Sequence, residues 1–396
     1  MKKRLLSLGM AAALTAVAVT GCGGSGSTSG GGSTDGGADT FYIGGIGPTT
    51  GAAAIYGSCV QNAAQIAVDE INANGGVNGY QLSYRFEDDV NDAEKAVNAY
   101  NSLKDWGMQI LMGTVTTTPC IAVATETAAD GMFELTPSAS STDVIDGNDN
   151  VYQVCFTDPN QGTASADYIA SDAISDISKA AVIYDSSSVY STGIHDTFVS
   201  EAANVGIEVV SDTAFTADTN TDFSTQLQKA QDSGAELVFL PIYYQEASII
   251  LQQAKSMNYE PVFFGVDGMD GILTLEGFDT SLAEGVMLLT PFSADADDET
   301  TQSFVAQYQD KYGDVPNQFG ADAYDAIYII KQALEEADAT PDMSVEEIGT
   351  ALNGVMGSLT YDGGITGDSM KWDDNGAVNK DPKAVIIENG AYKSMD

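Results

Sequence analysis

From Thr40 onward the chain alternates short apolar runs with helical patterns, and this alternation constrains the fold more than any other feature. Phe41 to Ile46 reads as a strand. Val60, Ala63, Ala64, Ala67, Val68 and Ile71 then recur at three- and four-residue spacing, and Asn74-Gly75-Gly76 supplies a helix stop. Further strands are predicted at 82–86, 109–112 and 132–135, with helices at 91–106 and 118–130 between them. The cycle restarts with strands at 180–184, 207–210, 237–240, 262–264 and 286–289, separated by helical stretches at 192–205, 223–233 and 246–257. Alternation of this kind means parallel sheets covered by helices on both faces. Two such sets predict an α/β protein of two doubly wound parallel-sheet lobes. The last hundred or so residues break the pattern. Helices at 300–312 and 320–337 precede a turn at 371–376 and a strand at 384–388, tail elements expected to complete the earlier lobes.

Composition removes whole classes of function. In 396 residues, 15 Lys+Arg face 57 Asp+Glu, a formal net charge of −42. A surface this acidic repels phosphate backbones, which excludes nucleic-acid binding through a basic groove. His195 is the sole histidine, so His-rich zinc sites and a histidine-based triad have no material. Arg4 and Arg85 are the only arginines. A bound carboxylate must then be held by hydroxyls, backbone N–H groups or lysine.

The amino terminus carries an export signature. Met1-Lys2-Lys3-Arg4 is a basic lead and Leu5 to Val19 an apolar run, shorter than the roughly 20 residues of a membrane span. Val19-Thr20-Gly21-Cys22 looks like a bacterial lipobox, which predicts a signal peptide at 1–21 and a diacylglycerol on Cys22. Residues 22–38 hold eight Gly and four Ser in 17 positions and read as a tether. Its root-mean-square reach is about 20–25 Å. The expectation is an exported protein, lipid-anchored to the outer face of the cytoplasmic membrane.

Cys59, Cys120 and Cys155 follow Cys22, an odd number that admits at most one intramolecular bridge. Cys59 and Cys120 stand near predicted helix starts, where a thiol pKa falls, but small buried hydrophobes are the favoured reading. Gly45-Ile46-Gly47-Pro48-Thr49-Thr50-Gly51 has the wrong spacing for a dinucleotide loop, and Pro48 removes a donor where a pyrophosphate needs one. The acidic clusters at 88–89, 295–299 and 373–374 lack the spacing of a calcium loop. No catalytic constellation, metal site or cofactor motif emerges.

Hydroxyl-rich turns after strands are what remain. They lie at 114–118, 138–141 and 186–190, joined by Ile242-Tyr243-Tyr244-Gln245-Glu246 and Asp267-Gly268-Met269-Asp270. Ligands of open parallel sheets bind outside the carboxyl ends of strands. Hydroxyls and helix N-terminal N–H groups suit a carboxylate, tyrosines an apolar body, and Asp267 an ammonium. The set matches a zwitterion, although N-capping and turn chemistry would enrich the same residue types.

At these residues the chain resembles the leucine/isoleucine/valine-binding proteins of ABC transporters, across about residues 40–392. The likeness includes Gly47-Pro48, Tyr56-Gly57, the run Ala67 to Gly79, Glu87-Asp88-Asp89, Thr136 to Ser140, Gln161-Gly162, Tyr184-Asp185, Thr221-Asp222-Phe223, Tyr243 to Ala247, Asp267-Gly268, Ala323-Tyr324-Asp325 and Asp373 to Gly376. The resemblance implies a type I periplasmic-binding-protein-like fold: two lobes joined by a three-segment hinge and closing on an amino acid without catalysis. It divides the chain into 39–156 plus 291–358 as one lobe and 157–290 plus 359–396 as the other. Carried over by position, Thr117 and Ser140 hold the ligand's carboxylate and amine with backbone near Ser138 and Ala139. Tyr56, Tyr190 and Tyr243 line the cleft, and Asp267 faces the ammonium. The loop at 116–118 departs from the family pattern, so Thr116 and Thr117 both stand as candidates. The expected partners are a free amino acid, branched-chain or otherwise hydrophobic, and ABC permease subunits, with a monomeric protein delivering to them. A ligand-sensing receptor module without transport is the alternative.

Overall fold

A computed structural model describes residues 40–395 apart from 172, 175 and 176. The leader, the tether and Cys22 lie outside the described residues.

The first sheet runs in the order β2-β1-β3-β4-β5 and is parallel throughout. Its strands are β1 (Thr40–Gly47), β2 (Gln81–Asp88), β3 (Ile110–Gly113), β4 (Glu134–Thr136) and β5 (Val151–Gln153). Helices α1 (Ala54–Ala73), α2 (Ala93–Trp106) and α3 (Thr117–Asp130) make its crossovers. The second sheet comprises β6 (Lys179–Asp185), β7 (Glu208–Phe215), β8 (Leu237–Leu240), β9 (Val262–Gly265), β10 (Met287–Thr290), β11 (Lys383–Glu388) and β12 (Ala391–Ser394). Five of these are parallel, and the tail hairpin β11–β12 adds antiparallel at the β10 edge. Around it lie α4 (Asp158–Ile169), α5 (Val189–Val205), α6 (Ser224–Asp232) and α7 (Tyr244–Ser256). The two predicted lobes are present.

Helices α8 (Glu299–Tyr312), α9 (Gln318–Glu336) and α10 (Val345–Met356) return to the first lobe. There α9 packs along α1 and against β3 and β4. Phe41, Ile43, Val60, Ala64, Ile327 and Ile330 are fully buried together, the core that the periodicity of α1 anticipates. Local signals fix the ends. Asp92 accepts the Lys95 N–H to start α2, and Gly107 at φ 100° ends it. Ser344 and Glu347 form a reciprocal capping box at the start of α10.

The 45–51 glycines serve packing. A Cβ on Gly45 would stand 2.4 Å from the Phe86 ring, and one on Gly47 2.4 Å from Val115. Gly57 lets α1 approach the turn, because a Cβ there would stand 2.1 Å from the Pro48 carbonyl oxygen.

The tail corrects one boundary. Residues 359–378, read with the second lobe from sequence, attach to the first. Gln153 donates its N–H to the Gly376 carbonyl at 3.0 Å, and Trp372 donates its indole N–H to Gln153 O at 2.8 Å. The edge of β5 is otherwise unpaired, and this segment satisfies it before the chain reaches β11. Lys380 sits at that passage with 4% exposure, donating to Asp322 Oδ1 at 2.7 Å and Thr366 Oγ1 at 2.6 Å.

Candidate functional site

Every predicted ligand-binding residue lies in a turn after a strand or in the first turn of the helix that follows. On the first lobe, Thr116 precedes α3 and Thr117 begins it, while Ser138, Ala139 and Ser140 follow β4. Tyr56 is in the first turn of α1. On the second lobe, Tyr190 opens α5, Tyr243 precedes α7, and Asp267 begins the short helical turn after β9. The carboxyl ends of both sheets supply the residues, as parallel strands dictate.

The structure brings the second-lobe set and Tyr56 into one cluster. Tyr190 donates its hydroxyl to Asp267 Oδ1 at 2.5 Å, and Gly268 N–H donates back to the Tyr190 hydroxyl at 3.0 Å. Tyr243 lies 5.0 Å from the Tyr190 ring and 5.3 Å from the Tyr56 ring. Phe319 of α9 stacks on Tyr56 at 4.2 Å. Tyr56 crosses the seam between lobes, donating its hydroxyl to Gly268 O and accepting the Tyr244 N–H. Asp267 is 3% exposed.

On the first lobe, several groups are already committed. Ser138 donates its hydroxyl to Val115 O at 2.7 Å. The N–H groups of Ser138 and Ala139 both go to Thr136 Oγ1, at 3.3 and 3.0 Å. Gln153 donates to the Ala139 carbonyl. These contacts build the turn and commit the donors of Ser138 and the Ala139 N–H. Thr116 differs. Its hydroxyl is buried without a hydrogen-bond partner, whereas Thr114 donates its hydroxyl to the Thr116 carbonyl at 3.1 Å. Thr117 and Ser140 are buried beside it in the same pair of turns.

Sequence reasoning missed Asp158, the first residue of α4, which is 1% exposed. Its N–H donates to Ser140 O at 2.9 Å, fixing it against the first-lobe turn. Neither carboxylate oxygen has a hydrogen-bond donor in good geometry, although the Ser140 hydroxyl lies close enough to favour the charged form. Burial raises the Asp158 pKa well above the usual carboxylate range, and the nearby Asp267 adds to that. Burial likewise pushes Asp267 up to about 7, opposed by the Tyr190 hydroxyl and the Gln161 amide. Thr157-Asp158-Pro159 is a helix-start signal that could have located Asp158.

Two buried carboxylates, Asp158 and Asp267, thus lie close to one another at the seam, with the buried Asp322–Lys380 pair within electrostatic reach. Such a place favours a cation with donors to spare. A cavity of 390 Å³ shares Tyr190 and Tyr243 with this cluster and is lined further by Ala52, Thr118, Asp185 and Glu246 among others. The alternative thiol chemistry fails on burial, which drives Cys59 up to about 12 and Cys120 and Cys155 well above their usual range. Among the described residues, Cys59, Cys120 and Cys155 are free. His195 is held between Asp196 and Asp212 and stacks on Tyr184 at 3.8 Å, away from the seam. No group of three or more His, Cys, Asp or Glu among the described residues is arranged to hold a metal ion.

Comparison with known proteins bears on the family and the fold. A family model described as periplasmic binding protein matches residues 40–388. The Leu/Ile/Val-binding protein homolog 3 of Brucella melitensis is 29% identical, covering 85% of this chain and 92% of its own. The leucine-, isoleucine-, valine-, threonine-, and alanine-binding protein of Pseudomonas aeruginosa is 26% identical over 82% of this chain and 86% of its own. Among solved structures, the branched-chain amino acid transporter substrate binding protein of Streptococcus pneumoniae, in complex with isoleucine, superposes with a TM-score of 0.80. It is 26% identical and covers 90% of this chain and 98% of that one.

Proposed function

Because the chain belongs to the periplasmic binding protein family, and is therefore a solute-binding protein and not an enzyme, we propose that it captures a free amino acid between its lobes. The observation that carries this reading is the proximity of two buried carboxylates, Asp158 and Asp267, at the seam between the lobes. A simple carboxylate would face both carboxylates there, and nearby Lys380 is already paired with Asp322. An α-ammonium satisfies them, and once it is present both acids hold their charge. The ligand's carboxylate is assigned to Thr116, Thr117 and Ser140, where no arginine is needed. Its side chain meets the aromatic group of Tyr56, Tyr243 and Phe319, which suits the branched-chain or other hydrophobic amino acids named for the relatives.

In this reading the first lobe comprises 39–156 with 291–378, and the second 157–290 with 383–395. The chain crosses between them near 154–157, 291–298 and 379–382. The lipobox at Cys22 and the glycine-serine tether support an exported lipoprotein, anchored at the outer face of the cytoplasmic membrane and delivering its ligand as a monomer to an ABC permease. Native mass spectrometry of the purified protein tests the ligand class. A co-purified mass equal to a free amino acid supports the reading, and a ligand lacking an amine overturns it.

A further inference from the structure

The turn that carries Asp267 is gripped from the opposite lobe, at Asp270. The α9 N-terminus presents the Gln318 N–H, which donates to Asp270 Oδ2 at 2.8 Å. The Gln318 side chain donates to the Asp267 carbonyl at 3.1 Å. Asp270 is 5% exposed, so this charge-assisted bond is made away from water. Helix α9 runs 19 residues, and its positive end favours the carboxylate further. Asn317 caps α9 through the Gly320 N–H, so Asp270 is not the residue that starts the helix. On its own lobe the Asp270 carboxyl is flanked by the Tyr392 hydroxyl, which also accepts the Gly271 N–H at 3.1 Å.

The seat is shaped for close approach as well. Gly271 has φ +97°, and a Cβ there would stand 2.6 Å from Ile55 Cγ2 of α1. Ile55 donates its N–H to the Tyr244 hydroxyl at 3.2 Å, and Tyr56 donates to Gly268 O. The 267–271 turn therefore rests on the first turns of two first-lobe helices, through contacts that are all protein to protein.

We propose that Asp270 is a positioning residue: its bond to the α9 N-terminus latches the Asp267 turn onto the first lobe and biases the lobes toward closure before ligand arrives. The consequence for binding rests on the reading of Asp267 as the ammonium's partner; the latch itself does not. A hydrogen bond to a charged group has the strength to move a closed-to-open ratio by roughly 10- to 100-fold. Removing it opens the ligand-free protein, and apparent affinity falls by up to about the same factor as the competent fraction shrinks.

Small-angle scattering of ligand-stripped parent, Asp270→Ala and Asp270→Asn protein tests the latch without any ligand. The expected result is a larger radius of gyration for Asp270→Ala and an intermediate one for Asp270→Asn, which keeps an acceptor. Identical radii for all three overturn the proposal. Should Asp270→Ala fail to fold, the same comparison of Asp270→Asn against the parent decides. Titration with L-leucine, L-isoleucine and L-valine separates the two claims. Expanded variants of a parent that binds no amino acid retain the latch and defeat the amino-acid reading; unchanged radii with intact amino-acid binding do the reverse.

Discussion

Tyr190 holds Asp267 by a 2.5 Å hydrogen bond inside a seam where Asp267 is 3% exposed. The bond orients a carboxylate that burial would otherwise protonate, since Asp267 is pushed up to about 7. The Tyr190→Phe variant is expected to weaken amino-acid binding by about tenfold, the worth of a hydrogen bond to a charged group. Isothermal titration at pH 7 checks it, and equal affinity for parent and variant removes Tyr190 from the site.

Thr116 and Ser138 make different contributions, because only the Thr116 hydroxyl among the predicted site hydroxyls is buried without a partner, while Ser138 is spent on Val115 O. Thr116→Val keeps the shape and removes an orphaned polar group. Its ligand-free melting temperature should therefore hold or rise, while binding weakens by about 1.5–3 kcal/mol. A fall in melting temperature with unchanged affinity would mean that Thr116 is structural.

Much of this is legible in the sequence, and the reasons are local. Strands such as β1 and β8 and helices such as α1 and α9 announce themselves by apolar runs and by three- and four-residue spacing. Tyr190, Tyr243 and Asp267 follow strands, and a parallel sheet sends such residues to its ligand edge. Helix α4 escapes prediction, because Asp158-Pro159-Asn160-Gln161-Gly162-Thr163 is polar and small, with its burial supplied by α5. Helix α10 also escapes it, despite the Ser344 and Glu347 capping box. The pairing of Asp270 with Gln318 spans 48 residues and leaves no local trace. Which threonine is unpartnered depends likewise on what the fold already spends: Thr136 absorbs the N–H groups of Ser138 and Ala139.

Buried acids should make the protein less stable as pH rises. Burial pushes Glu134 up to about 8, Asp89 to about 7 and Asp325 to about 6. The unfolded chain releases these protons near pH 4, whereas the folded chain keeps them to higher pH. Stability is therefore lost from about pH 4 upward until each folded pKa is passed. Melting temperature should decline from about pH 4 to about pH 8. Glu134, held by Thr127 and Cys120, makes the longest-lasting contribution. Glu134→Gln should flatten the decline, and a parallel pH profile for parent and variant would contradict this.

Lys380 neutralises Asp322 at the passage into β11, with both side chains nearly inaccessible. Lys380→Met leaves that carboxylate buried and uncompensated, at a cost of about 3–5 kcal/mol. Adding Asp322→Leu should recover much of the loss. Denaturant unfolding of both variants checks it; a double variant no better than the single one would show that the pair acts through shape rather than charge.

The central claim is that an amino acid's ammonium closes the seam on Asp267. Calorimetric titration of parent and Asp267→Asn protein with leucine, isoleucine and valine, beside melting curves of both ligand-free proteins, tests it most directly. The account predicts one-to-one binding by the parent to at least one of the three and binding at least about 30-fold weaker by Asp267→Asn, since truncating a buried charge pair costs about 2–5 kcal/mol. Because the buried carboxylate is disfavoured in the empty seam, the ligand-free variant should melt no lower than the parent. Equal affinity in the two proteins, or a lowered melting temperature with affinity retained, would contradict it.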